Sequence, residues 1–175
     1  MQKLPNKAKV LIFVLTALFI SLFVYTSFSF KFILSKTEIL LAIILSISIL
    51  VSDRFPVIIP IGTEVSELSV STSITFALAF LFNPFVSMTI VLVNSLLTEL
   101  ISKRIWYKVL FNTTNIVVST GLISLFFWKY YSGLLPFTSL YNLSIIIFGA
   151  FLHFISETFF LYLLLSFIIN RAEIT

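Results

Sequence analysis

The chain has 175 residues, of which 59% are hydrophobic and only 10% are charged. Water-soluble domains carry about 25% charged residues, so this composition predicts an integral membrane protein and leaves no room for a soluble catalytic domain. The sequence contains no cysteine and one histidine, His153, which excludes disulfides, thiolate metal sites and sites that need several imidazoles from one chain. We expect no cofactor and no bound metal. The eleven Lys and Arg residues are scattered between apolar segments, so we expect no nucleic-acid partner.

Six apolar segments predict an all-α fold, a single transmembrane domain over residues 1–175 with about six helices in a bundle. The approximate spans are 10–30, 38–51, 69–82, 85–101, 109–128 and 140–169. The first follows three lysines, as is typical of a signal anchor. Asn83 and Pro84 predict a tight turn that makes the third and fourth spans an antiparallel helical hairpin. The last span is so long that it must tilt, kink at Gly149 or project from the bilayer.

The stretch between the second and third spans, residues 53–68, has a different character. Pro56, Pro60 and Gly62 interrupt any helix there, while valine and isoleucine keep the stretch apolar. This pattern predicts an irregular loop that lies at the membrane interface or re-enters the bilayer. Within it, the side chains of Glu64 and Glu67 are expected either to be solvated at the cytoplasmic face or to gate a pocket.

The distribution of basic residues predicts the orientation of the chain. Six spans with an inside N-terminus place eight Lys and Arg residues on the inner side and three on the outer side. The inner residues are Lys3, Lys7, Lys9, Arg54, Lys103, Arg104, Lys108 and Arg171, and the outer ones are Lys31, Lys36 and Lys129. We therefore expect a multi-pass protein of the inner (plasma) membrane, with both termini cytoplasmic and the lipid bilayer as its main partner.

A polar side chain inside a membrane span is costly, so each one is a candidate functional residue. His153 and Glu157 are spaced i and i+4 near the middle of the last span, and so they share one helix face. The pair has several readings: a proton relay, a ligand-recognition pair, or part of a metal site completed by other helices. It can also be structural, with the imidazole and the carboxylate satisfying each other inside the bundle.

Two further groups of candidates lie on the fourth and fifth spans. Glu99 is near the inner end of the fourth span, with Asn94 earlier on the same helix. Glu99 can be functional, or it can pair with Lys103 at i+4 and only stabilise the helix end. Asn112 and Asn115 are one turn apart on the fifth span. They are candidates for ligand binding or a relay, or they only hydrogen-bond to another helix, which is the default for such residues.

A basic cytoplasmic loop connects these two spans and contains Lys103, Arg104 and Lys108. A series of small hydroxylated residues begins just before the third span, where such residues permit close approach of helices. It consists of Ser66, Ser69, Ser71, Thr72, Ser73 and Thr75.

Residues 52–131 contain a distinctive order of elements. A Phe-Pro-Val-Ile-Ile-Pro stretch and the Gly62 turn precede the Asn83-Pro84 hairpin, an acidic helix end, a basic loop and Trp-Tyr-Lys-Val-Leu-Phe-Asn at 106–112. This order resembles the bacterial membrane sensor domains of the MASE type, which precede diguanylate cyclase and HD-type phosphodiesterase modules. The residues that match the recurring elements of those domains are Glu99, Lys103, Arg104, Lys108, Phe111 and Asn112.

The resemblance implies a helical bundle that detects a ligand or a membrane state and passes the signal to a cytoplasmic output domain through the last helix. The sequence ends at Thr175, soon after the last span. The output module would therefore belong to a longer form of the chain or to a separate partner, or the chain is not a sensor.

A second resemblance, in size and number of spans, is to the substrate-binding S-component of energy-coupling factor transporters. It implies a vitamin or metal ligand and separate ATPase and coupling subunits as partners.

The hypothesis favoured by these features is a non-enzymatic sensory or ligand-binding membrane domain, either a homodimer or joined to a cytoplasmic signalling enzyme. The alternative is the transporter subunit. A third hypothesis is an intramembrane lipid-modifying enzyme that uses His153 as a base and Glu157 as an acid.

Overall fold

The computed structural model describes the backbone of residues 5–55, 57–61, 64–68 and 70–172, and the side chains of 5–55 and 70–167. Within these residues, α-helices form the bundle and one pair of short strands interrupts it. Each predicted apolar segment overlaps one helix. The elements in chain order are α1 (Asn6–Ser29), α2 (Lys36–Arg54), β1 (Val57–Ile61), β2 (Glu64–Leu68), α3 (Ser71–Leu81), α4 (Pro84–Ile101), α5 (Trp106–Tyr130) and α6 (Leu140–Ala172).

The strands correct the prediction of an irregular loop over residues 53–68. β1 and β2 pair antiparallel, with Val57 opposite Leu68 and Ile61 opposite Glu64. The β-branched residues of this stretch favour extended backbone. Pro60 is compatible with a strand because both strands of a two-stranded sheet are edges. The other two expected helix breakers, at positions 56 and 62, lie outside the described residues.

Four helices are long and apolar enough to cross a membrane: α1, α4, α5 and the Leu140–Phe167 part of α6. The chain is therefore a helical membrane protein. α2 has 19 residues but carries charged residues at both ends. α3 has only 11 residues and rises about 16 Å, roughly half of the hydrocarbon thickness. The structure thus accounts for four of the six predicted spans by length and composition.

Side-chain hydrogen bonds identify the two ends of the bundle. At one end, Asn83 Nδ2 donates to the carbonyl of Lys31 at 3.2 Å, which joins the exit of α1 to the start of α4. At the other end, Thr98 Oγ1 donates to Asp53 Oδ2 at 3.2 Å, which joins the last turns of α2 and α4. We name these the Asn83 end and the Glu99 end. α2 therefore runs parallel to α4 from one end to the other.

α5 is the central helix, and two glycines let its neighbours approach. A Cβ on Gly121 would lie 2.6 Å from Met88 Sδ and 2.8 Å from Leu22 Cδ2, so glycine permits close packing of α5 on α4 and α1. A Cβ on Gly149 would lie 2.5 Å from Phe127 Cζ, so this glycine receives a ring from α5. α6 continues as one helix through Gly149 and rises about 50 Å over its length.

Candidate functional site

Glu99 lies on the last turn of α4 and is only 4% exposed. Its Oε1 atom accepts a hydrogen bond from Asn112 Nδ2 at 2.8 Å and is 3.1 Å from Arg104 Nη1. Its Oε2 atom is buried and accepts no hydrogen bond from any residue that the structure describes. A carboxylate oxygen kept from both water and donors is costly, so Oε2 is an open acceptor at this end of the bundle.

The backbone after α4 explains why Arg104, and not Lys103, pairs with Glu99. The helix ends at Ile101, and Lys103 adopts a left-handed conformation with φ of 50°. The i, i+4 geometry expected for Glu99 and Lys103 is lost beyond the helix end, and the turn brings Arg104 back toward Glu99 instead. Of the predicted basic loop, Lys103 and Lys108 are exposed, whereas Arg104 is half exposed and bound to the carboxylate.

The Glu99 side chain lines a cavity of about 270 Å³ between α2, α3, α4 and α5. We name it the Glu99 cavity. Four of its lining residues come from one polar face of α4, and a fifth follows the helix end: Asn94, Ser95, Thr98, Glu99 and Ser102. The other polar residues of the wall are Asp53, Ser71, Thr75, Arg104 and Asn112. A cavity with so many polar groups is suited to hold water or a polar ligand.

Several side-chain donors of the cavity wall form hydrogen bonds to other atoms of the protein. Asn94 Nδ2 donates to Ser46 Oγ at 3.0 Å and to the Ile90 carbonyl at 2.9 Å. Ser95 Oγ donates to Thr113 Oγ1 at 3.0 Å. Together with the Thr98 bond to Asp53, these contacts fix the rotamers of the α4 face and orient it toward the cavity.

A second polar group lies nearer the middle of the bundle, around His153 of α6. His153 is 1% exposed, and its Nε2 atom is 3.3 Å from Thr75 Oγ1 and 3.6 Å from Glu157 Oε1. The Thr75 hydroxyl also donates to the Thr72 carbonyl at 2.9 Å. A hydroxyl has one proton, so Thr75 either donates to Thr72 and accepts from His153, or donates to His153. We name Thr75, Asn115, His153 and Glu157 the His153 cluster.

Asn115 joins the His153 cluster from α5. Its Nδ2 atom donates to the backbone carbonyl of Glu157 at 3.1 Å. Four buried polar atoms of this region lack a hydrogen-bond partner among the described residues: His153 Nδ1, Glu157 Oε1, Asn115 Oδ1 and Ser119 Oγ. Asn112 and Asn115, predicted to bond across to another helix, therefore do so to two different helices, α4 and α6.

Thr75 belongs to both groups, since it lines the Glu99 cavity and contacts His153. The structure therefore brings Asn94, Glu99, Arg104 and Asn112 together at the cavity, and His153, Glu157 and Asn115 at the cluster, while Lys103 and Lys108 lie outside both. Asp53, Thr75, Ser95 and Thr98 were not expected at a site. The polar positions 94, 95, 98, 99 and 102 recur at helical spacing, and this stripe is the signal that points to the cavity. The side chains of Glu64, Ser66, Glu67 and Ser69 lie outside the described residues.

Comparison with known proteins gives no family assignment: no family model, curated protein or solved structure matches this chain. The chemistry of the Glu99 cavity and the His153 cluster is therefore the basis for a functional conclusion.

Proposed function

We propose that this chain is a non-enzymatic sensory domain of the membrane, which binds a small ligand in the Glu99 cavity and relays its presence to a cytoplasmic partner through α6. The observation that carries the proposal is the double role of Thr75. Its side chain forms part of the cavity wall and lies 3.3 Å from His153 Nε2 on α6. A change at the wall therefore acts directly on the helix that leads to the C-terminus.

Ligand binding is supported by the open acceptor and by the size of the cavity. A buried carboxylate oxygen gains free energy when a donor reaches it, and a ligand can supply that donor. The volume of about 270 Å³ is just below the range of pockets for drug-sized molecules, about 300 to 1,000 Å³. The cavity therefore suits a ligand of a few heavy atoms.

The relay is supported by the form of α6. This helix is continuous from Leu140 to Ala172 and is longer than the roughly 30 Å hydrocarbon core. It runs antiparallel to α5, since the Ser132 amide just after α5 donates to Asn142 Oδ1 in the first turn of α6 at the Asn83 end. Its C-terminal half therefore leads from His153 to the Glu99 end, where a rigid helix can transmit a rotation or a shift.

Six crossings with both termini cytoplasmic form part of the proposal. α2 runs parallel to α4 along its length, so α2 would cross the same thickness of the bilayer as α4 does. Among the described side chains, six basic ones lie at the Glu99 end: Lys7, Lys9, Arg54, Lys103, Arg104 and Lys108. The Asn83 end has Lys31, Lys36 and Lys129. The positive-inside rule then makes the Glu99 end cytoplasmic in the inner membrane.

The resemblance to MASE-type sensor domains supports the same function. Three of the residues that carry it, Glu99, Arg104 and Asn112, meet at one carboxylate in the cavity. The partner implied is a cytoplasmic signalling enzyme, and a homodimer of the chain would bring two such partners together.

The proposal can be tested without knowing the ligand, because the chain has no cysteine and a single introduced one is labelled uniquely. Ser166 is exposed on the C-terminal half of α6. A bimane fluorophore on Ser166→Cys, in protein reconstituted in nanodiscs, should change its emission when Glu99→Gln or Thr75→Val is added. Glu38→Gln is the matched control, since this exposed residue at the start of α2 keeps its capping role as glutamine. Unchanged emission in both test variants would refute the relay.

The transporter S-component is the second candidate, and the polar cavity between the helices is the observation in its favour. The volume of the Glu99 cavity, about 270 Å³, argues for a ligand smaller than a vitamin. Co-purification with an ATPase and a coupling subunit, together with a retained vitamin in native mass spectra, would favour the transporter. The deep burial of His153 argues against an intramembrane enzyme, because a general base must reach its substrate.

A further inference from the structure

The hydrogen bonds of the Glu99 cavity define which chemical groups its occupant must present. Glu99 Oε1 accepts hydrogen bonds from Arg104 and Asn112, whereas Oε2 accepts none from the described residues. The side-chain N–H and O–H groups of Asn94, Ser95 and Thr98 donate to other protein atoms. The wall therefore offers a buried acceptor, Oε2, which the donors of Asn94, Ser95 and Thr98 do not reach, and a ligand that satisfies this atom must be a donor.

The charges of the cavity wall limit the ligand further. The wall contains two carboxylates, Asp53 and Glu99, and one guanidinium, Arg104, which is bound to Glu99. The neighbouring cation, Arg54, is exposed and lines a separate cavity of about 40 Å³. An anion placed at the open Oε2 atom would face the buried carboxylate of Glu99, which is unfavourable at low dielectric. The wall therefore selects against anions.

The charge of the Glu99 carboxylate favours a cation over a neutral donor, and such a cation is either a metal ion or an organic ammonium. Among the described side chains, no three His, Cys, Asp or Glu residues are grouped so that they could hold a metal ion. An ammonium group has three N–H donors and forms strong charge-assisted hydrogen bonds with a carboxylate. Its apolar remainder would contact the aliphatic part of the wall, which consists of Ile49, Val91 and Ile116.

We infer that the Glu99 cavity binds a small primary ammonium compound, whose N–H groups donate to Glu99 Oε2. This inference rests on the proposed function only in that the cavity holds a ligand. It explains why a glutamate with one unengaged oxygen is buried beside hydroxyls and aliphatic side chains at the end of a membrane helix.

The test compares four probes on the full chain in nanodiscs. Thermal unfolding is followed by the fluorescence of Trp106 and Trp128 with 1-propylammonium chloride, tetramethylammonium chloride, sodium propionate or 1-propanol. Only 1-propylammonium has both a positive charge and N–H donors, so it should raise the midpoint in a saturable way while the other three do not. A shift of equal size with tetramethylammonium would overturn the inference, because that ion cannot donate to Oε2.

Variants then locate the binding. Glu99→Gln should raise the dissociation constant for 1-propylammonium at least tenfold, and Glu38→Gln should leave it unchanged. Ile116→Phe fills the cavity while keeping Glu99, so it serves if Glu99→Gln does not fold, and it should abolish the shift. Retained binding in Ile116→Phe would overturn the inference.

The inference and the proposed function fail in different ways. If no probe raises the midpoint, or if only 1-propanol or propionate does, the ammonium class is wrong. The emission of the Ser166→Cys label in Glu99→Gln and Thr75→Val then still decides separately whether the cavity communicates with α6.

Discussion

The Thr75 hydroxyl on α3 lies 3.3 Å from Nε2 of His153 on α6. Both groups are almost completely buried, and the same threonine lines the Glu99 cavity. Because the hydroxyl proton points either to the Thr72 carbonyl or to the imidazole, this contact has two hydrogen-bonding arrangements. An occupant of the cavity that stabilises one of them shifts the balance at α6.

The contact between Thr75 and His153 should be measurable as stability. Thr75→Val preserves the shape of the side chain and removes the hydroxyl, so the unfolding free energy in detergent should fall by about 1 to 2 kcal/mol. Thr89→Val is the control, since Thr89 bonds only to Phe85 of its own helix turn among the contacts defined for it, and its cost should be smaller. Equal losses in the two variants would contradict an interhelical role for Thr75.

The two residues that donate to Glu99, Asn112 and Arg104, should contribute unequally to the free energy of unfolding. Asn112→Asp replaces a half-buried donor, 2.8 Å from the buried carboxylate, by a second carboxylate and should cost about 3 kcal/mol or prevent folding. Arg104→Ala removes a half-exposed partner and should cost at most about 1 kcal/mol. Denaturant titration of both variants gives the comparison. A larger loss for Arg104→Ala than for Asn112→Asp would show that the ion pair, and not the Asn112 amide, holds the carboxylate.

The packing of α6 on α5 depends on the absence of a side chain at Gly149. Gly149→Ala places a methyl group 2.5 Å from Phe127 Cζ, which is too close for a buried ring and should cost about 1 to 3 kcal/mol. Phe127→Leu should recover part of that loss in the double variant. Gly133→Ala, where a Cβ would meet no described atom within 4 Å, is the control and should be neutral in thermal unfolding.

The orientation of the bundle can be measured with single cysteines. Lys103→Cys at the Glu99 end should react with an impermeant maleimide only after the cells are opened. Gly133→Cys, in the connection at the Asn83 end, should react in intact cells. The reverse pattern would place the Glu99 cavity outside the cytoplasm and contradict the proposed orientation.

Much of the bundle was predictable from the sequence, because long apolar segments between charged residues leave few alternatives in a membrane. Asn83 and Pro84 also indicate the start of α4, where Asn83 caps the helix by accepting from the Val86 amide. The β1–β2 pair was missed because two prolines and a glycine read as irregular backbone, although the valines and isoleucines between them favour strands. The spacing of apolar and polar residues was enough to predict the helices and the Asn83 cap. The β1–β2 pair depended instead on the strand propensity of the valines and isoleucines.

The site was only partly predictable. Glu99, Asn112 and His153 are conspicuous because polar residues are rare in apolar segments. Their partners are not, since Glu99 pairs with Arg104 through a left-handed turn at Lys103, and His153 contacts a threonine 78 positions away. Such pairs depend on the tertiary arrangement of α3, α4 and α6, which spacing along one helix does not encode.

The central claim is that occupancy of the Glu99 cavity reaches α6 through His153. The most direct measurement is the bimane emission of Ser166→Cys during titration with 1-propylammonium chloride, in the otherwise unchanged chain and with His153→Leu added. His153 lies outside the cavity wall, so the account predicts that His153→Leu still binds the probe, as the unfolding midpoint reports, but loses the emission change. An emission change of the same size in His153→Leu would contradict the account.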